Sequence, residues 1–176
     1  FGIEYTLKNW TLNAEVFYKK VDGINTRNLG FRNQLQNTQA IGNYTSQGLE
    51  ISVGKKLKNL TSWLSYTYID SNYEFKTLSP VGFPNNFNVT HCVNAIATYT
   101  LKDFTISAGA NYHSGLPYTT TVNQDAIINT NNGTQIQYNS PNNQTLKHYF
   151  RTNISAVYKT PLDDTFNVSS KGVLYT

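Results

Sequence analysis

Polar and apolar residues alternate along much of this chain, with the two-residue period of β-strands that present two different faces. From Trp10 to Lys19 one face carries Trp10, Leu12, Ala14, Val16 and Tyr18, and the other carries Thr11, Asn13, Glu15, Phe17 and Lys19. From Phe104 to His113 the pattern recurs, with Phe104, Ile106, Ala108, Ala110 and Tyr112 set against Thr105, Ser107, Gly109, Asn111 and His113. It recurs again from Phe150 to Tyr158, and Leu49, Ile51, Val53 and Leu57 oppose Glu50, Ser52, Gly54 and Lys56. Leu60–Tyr68 and His91–Tyr99 are less regular versions. No segment has the 3.6-residue period of a helix, so the expected class is all-β.

The links between these segments are of two kinds, and the kinds alternate. Leu7-Lys8-Asn9, Leu57-Lys58-Asn59, Leu101-Lys102-Asp103 and Thr160-Pro161-Leu162-Asp163-Asp164 have the size of hairpin turns. The stretches 21–42, 74–88 and 115–148 are long, rich in Asn, Gln, Thr, Gly and Pro, and poor in charge. The pattern predicts about eight antiparallel strands with tight turns at one end and long loops at the other. Asp70-Ser71-Asn72 lacks the glycine and distal glutamate of a calcium loop and reads as a strand end.

Aromatic positions indicate what the apolar face meets. Trp10 and Tyr18, Phe104 and Tyr112, and Phe150 and Tyr158 each bracket an apolar face at a separation of eight residues. At about 3.3 Å per residue this is ~26 Å along a strand, or ~20 Å of height at a tilt of about 40°. An outer-membrane barrel has an apolar band of about 25 Å between two aromatic girdles, with short periplasmic turns and long outer loops. Ala14, Ala108, Ala110 and Ala156 suit a lipid-facing surface but would leave a soluble core thin.

Composition fits the same picture. Only 14% of the 176 residues are charged, yet 13 Tyr, 9 Phe and 2 Trp are too many for a disordered chain. No apolar run is long enough for a membrane-spanning helix, and no signal peptide opens the chain. The single Cys92 excludes an intrachain disulfide framework, and the net charge of +4 is scattered rather than clustered as a nucleic-acid surface requires. Eight Asn-x-Ser/Thr triplets follow from abundant Asn and Thr rather than from glycosylation. With Phe1 first and no Met, the chain reads as an internal piece of a longer polypeptide.

Ordered phrases carry a resemblance. Gly42-Asn43-Tyr44-Thr45-Ser46-Gln47-Gly48-Leu49-Glu50, then Trp63-Leu64-Ser65-Tyr66-Thr67-Tyr68, then Asn88–Tyr99 with His91 and Asn94, then His113-Ser114-Gly115-Leu116-Pro117-Tyr118-Thr119 follow one another. Over residues 42–158 this order resembles the C-terminal part of the β-barrel of TonB-dependent outer-membrane receptors, particularly those of Bacteroidota. The resemblance implies an up-and-down transmembrane barrel segment, about eight strands of a 22-stranded barrel, with residues 1–176 forming part of one barrel domain. It implies the outer membrane of a Gram-negative bacterium and import of a scarce ligand, whether an iron chelate, a vitamin or a glycan. The implied partners are outer-membrane lipid, the TonB complex through a plug region outside this chain, and a surface lipoprotein. The plug and the TonB-binding motif have no counterpart in these residues, and the final Thr176 differs from the usual aromatic terminus. A complete eight-stranded barrel with an adhesin or structural role is the alternative, since eight strands can close. A soluble lectin-like domain is the third, opposed by the aromatic spacing and the low charge.

No enzyme constellation is present in the sequence. His113 and Ser114 are strand neighbours and point to opposite faces, so they do not form a nucleophile and base. His91, His113 and His148 are not read as a metal site, and neither a cofactor nor nucleic acid is expected. The expected ligand surface combines Arg27, Phe31, Arg32, Tyr118 and Tyr138 in the outer loops with His113 and Arg151 on the interior face. Glu15, Lys19, Glu50, Lys56, Asn111 and Asn153 complete that interior face. Arg27 and Arg32 around Phe31 suit an anionic, partly aromatic ligand, while Asn- and Tyr-rich loops suit a sugar. Gly115 and Pro117 are expected to set a turn as the strand leaves the membrane.

Overall fold

Alternation of side chains does produce strands throughout. The computed structural model describes residues 1–25, 40–78, 80–123, 127–130 and 133–160, and among these no helix occurs. The strands are β1 (Gly2–Leu7), β2 (Trp10–Asn25), β3 (Ile41–Lys56), β4 (Leu60–Glu74), β5 (Gly82–Pro84), β6 (His91–Leu101), β7 (Phe104–His113), β8 (Pro117–Tyr118), β9 (Ile127–Thr130), β10 (Gly133–Ile136), β11 (Gln144–Thr145) and β12 (Tyr149–Tyr158). One antiparallel sheet runs in the order β1-β2-β3-β4-β6-β7-β12, with β5 paired to the outer part of β4 as its eighth strand. The eighth strand expected after Thr160 lies outside the described residues.

Connection lengths sort as the sequence predicts. Two-residue links join β1 to β2 and β6 to β7, and Leu57–Asn59 join β3 to β4, all at one end. Backbone hydrogen bonds knit these turns into one rim: Lys56 N–H donates to Asn9 O, Thr100 N–H to Asn59 O and Lys159 N–H to Asp103 O, each at 2.8 Å. Lys8 and Lys102 open their turns with φ of 50° and 51°, the left-handed region that non-glycine residues rarely occupy.

At the other end the strands run further than expected. β2 and β3 have 16 residues each and β4 has 15, against the 9–11 needed to cross a bilayer. Asp70–Asn72 is thus not a strand end but lies inside β4, where Asn72 Nδ2 donates to Asp70 Oδ1 at 2.7 Å and Ser71 is buried against Ser46. A bulge at Gly23, with φ of +76°, shifts the β2–β3 register where β2 climbs out.

Registers also fix the inclination of the strands. Trp10, Lys55, Ser62, Ala97 and Ala108 share one hydrogen-bonded row, whereas the aromatic Phe104 lies four residues nearer the turns than Ala108. Four strand spacings separate β2 from β7, which is about 19 Å sideways for about 13 Å along the strand. If Trp10 and Phe104 sit at one height, the strands tilt by about 35°, within the range of outer-membrane barrels.

The core is small and sits at the long-loop end. Ala40, Tyr73, Phe75 and Phe83 are buried there, with Ile24, Tyr44 and Leu78 against them. Phe75 is fully buried, and its ring stacks on Phe83 at 5.9 Å between centroids. Elsewhere the apolar face of the sheet is exposed from Leu7 and Trp10 through Val16 and Leu64 to Ile106, Ile154 and Tyr158. A contiguous exposed apolar face of this extent marks an interaction with an apolar surrounding rather than with water.

Candidate functional site

The opposite face of the sheet is polar, and its residues fall into rows. Glu4, Asn13, Ser52, Ser65, Asn94, Asn111 and Arg151 pair strand by strand along one continuous row across all seven long strands. Asn13 Nδ2 donates to Ser52 Oγ at 3.3 Å, and Asn111 Nδ2 to Asn94 Oδ1 at 2.6 Å. The next row towards the loops holds Glu15, Glu50, Thr67, Cys92, His113 and Tyr149. Pairing thus places the interior residues read from the sequence on one face.

His113 and Arg151 come together in this wall. The His113 imidazole stacks on Tyr149 with centroids 4.9 Å apart, and its Nδ1 lies 2.9 Å from the Ser114 carbonyl. Arg151, exposed and directly across from Asn111, donates from Nε to Asn153 Oδ1 at 2.9 Å. The two side chains are diagonal neighbours on adjacent strands. Beside Arg151, Trp63, Asn94, Ile96, Asn111 and Asn153 line a hollow of about 770 Å³. Trp63 escapes a pattern reading because it faces the polar side: its ring lies over Gly54, where a Cβ would stand 2.6 Å from it. The signal was the glycine directly opposite it.

Among the described residues the loops after β4 and β7 are folded. Between β7 and β12 the chain doubles back as a ladder in which Tyr118 pairs with Gln144 and Thr121 with Tyr138. Tyr118 is exposed and Tyr138 half-buried, and Tyr138 pairs with Thr121, three residues on from Tyr118. Gly115 does not supply a left-handed turn; it lets the Leu146 carbonyl approach so closely that any Cβ there would collide with it. Ser114 ties the same point to β6, giving its N–H to His91 O at 2.9 Å and accepting from His91 N–H at 3.1 Å. Asn142, which sequence reasoning missed, is the cross-link between loops. It is buried with φ of 55°, and its Nδ2 donates to Pro84 O and to Asn86 Oδ1, each at 2.7 Å. Arg27, Phe31 and Arg32 lie outside the described residues.

The remaining histidines lie on the apolar face. His91 Nδ1 is 3.0 Å from the Tyr66 hydroxyl, and His148 Nδ1 is 3.2 Å from the Tyr112 hydroxyl, each imidazole stacked on its tyrosine. They extend the aromatic band near the loops, away from His113.

One face apolar and bounded by rings, the other polar, with turns and loops segregated, is the organisation of an outer-membrane barrel wall. The sequence family described as TonB dependent receptor-like, beta-barrel, matches residues 1–173. The chain belongs to the TonB-dependent receptor β-barrel family. No curated protein and no solved structure is significantly similar to it. Members of the TonB-dependent receptor family are outer-membrane transporters of Gram-negative bacteria, not enzymes, and work with TonB and a ligand. In such a barrel the row from Glu4 to Arg151 faces the lumen and the row through Trp10 and Ala108 faces lipid.

Proposed function

We propose that this chain is the ligand-recognising wall of an importer for a scarce ligand, an iron chelate, a vitamin or a glycan, in the C-terminal part of a barrel of the Bacteroidota type. The observation that carries the reading is the patch of His113, Tyr149, Asn111 and Arg151 on the polar face, directly below a loop pair cross-linked through Asn142. A cross-linked loop pair above hydrogen-bond donors and an exposed arginine suits capture of a polar or anionic ligand. Tyr118, Tyr138, Arg27, Phe31 and Arg32 contribute from the loops. A plug region outside this chain gates the lumen and engages TonB, and a surface lipoprotein covers the mouth. Membership of the receptor family supports this reading over a small closed barrel with an adhesin role.

The test is uptake in the native host. Deleting the full receptor gene abolishes uptake of one ligand among labelled ferric chelates, cobalamin and oligosaccharides. Restoring it with Arg151→Ala or His113→Ala lowers that uptake about tenfold or more with the receptor still folded in the membrane. Unchanged uptake of every ligand in the deletion strain overturns the import role, and full uptake by both variants overturns the site.

A further inference from the structure

The tight-turn rim carries a concentration of positive charge that ligand import does not use. Lys8, Lys58 and Lys102 occupy the same position in three Leu-Lys-Asn/Asp turns, and Lys55 stands beside them. The backbone bonds that join Lys56 to Asn9, Thr100 to Asn59 and Lys159 to Asp103 set these hairpins side by side, about 10 Å apart at two strand spacings each. Asp103 is the one carboxylate in the described turns. Among the described residues none of these four lysines is in an ion pair; Lys20 and Asp22, which are paired, lie at the far end of β2.

The position of Lys55 shows what this charge faces. It sits on the apolar face in the row of Trp10, with its Nζ 4.2 Å from the Trp10 ring centroid. A cation over the girdle tryptophan is held at the boundary between apolar band and headgroups, beside exposed Leu7, Leu101, Phe104 and Tyr158. A soluble acidic protein approaching the turns from the periplasm would not reach that depth, whereas a phospholipid phosphate lies at it. We propose that the tight-turn rim is a docking band for anionic phospholipid headgroups of the periplasmic leaflet, with Lys55 marking its upper edge and Lys8, Lys58 and Lys102 its turns. The inference rests on the outer-membrane barrel reading. Juxtamembrane lysines gain from an anionic leaflet in an additive, salt-screened way.

The experiment uses the full-length receptor that carries this chain, purified in mild detergent and mixed with equimolar phosphatidylglycerol and phosphatidylcholine, with retained lipid counted by native mass spectrometry. The receptor retains at least about threefold more phosphatidylglycerol, and about half-molar salt lowers the excess. The triple variant Lys8→Asn, Lys58→Gln, Lys102→Asn brings the ratio close to parity; Asn is chosen at positions 8 and 102 because it tolerates the left-handed backbone there. The single variant Lys55→Gln, within regular strand, lowers the ratio even if the triple variant does not fold. A loop-end control, Lys20→Gln with Lys147→Gln, leaves the ratio unchanged. Parity in the wild type, indifference to salt, or an equal loss in the loop-end control overturns the proposal. A receptor that shows no heat-shifted folded band in any bilayer overturns the barrel reading instead.

Discussion

The Asn142 side-chain amide donates to the Pro84 carbonyl at 2.7 Å across 58 residues of chain, and to Asn86 Oδ1 at the same distance. Two bonds from one buried carboxamide tie the loop after β7 to the loop after β4. Asn142→Ala removes both bonds, leaves the Pro84 carbonyl wanting a partner and forces alanine into a left-handed backbone, costing about 1–3 kcal/mol locally. Hydrogen exchange at residues 82–86 and 117–119 is expected to accelerate while β6 and β7 stay protected. Unchanged exchange at 82–86 would show that the loops are held by something else.

Gly115 works by its lack of a side chain. Gly115→Ala drives a Cβ into the Leu146 carbonyl, opens the β8–β11 pairing and costs about 1–3 kcal/mol. Cross-linking of cysteines introduced at Thr145 and Pro117, which are register partners, reports the pairing and should weaken in the alanine variant.

The Tyr73 phenol lies beyond the apolar band, and burial, reinforced by the neighbouring Tyr44, pushes its pKa above the usual tyrosine value. In the unfolded chain Tyr73 ionises near pH 10. Above that pH the unfolded state gives up its proton and the folded state keeps it, so the stabilisation present at neutral pH is lost as pH rises through the folded pKa. Ultraviolet titration of phenolate should show one late-ionising tyrosine that vanishes in Tyr73→Phe. Loop-end opening above about pH 10 should be reduced in the same variant, which also loses the bond from Asn85 Nδ2 to the hydroxyl at 3.1 Å.

Lys8 and Lys102 hold left-handed backbone conformations that cost a lysine about 1 kcal/mol and a glycine little. Lys8→Gly and Lys102→Gly are each expected to raise the urea midpoint of barrel unfolding by an amount corresponding to up to about 1 kcal/mol. A fall in the midpoint for both would mean that the lysine side chains stabilise the turns by more than their backbone costs.

Local pattern was enough for much of the fold. Trp10, Leu12, Ala14, Val16 and Tyr18 declare a face because a strand sends every second side chain the same way, and Leu-Lys-Asn is too short to be anything but a turn. The same logic placed His113, Asn111 and Arg151 on one side of their strands. It stopped where strands leave the apolar band, since polar side chains on both faces of Asp70–Glu74 look like a loop, and it read 115–148 as one long loop without the short β8–β11 and β9–β10 pairings inside it. By itself the sequence determined strand faces, turn positions and the eight-residue distance between rings, all of which are set by neighbours along the chain. Only the tertiary structure decided which residues share a row, and with them the tilt, the lumenal line from Glu4 to Arg151, and the meeting of Asn142 with Pro84. Register depends on pairing between segments tens of residues apart, and alternation, being the same at every two-residue shift, leaves it open.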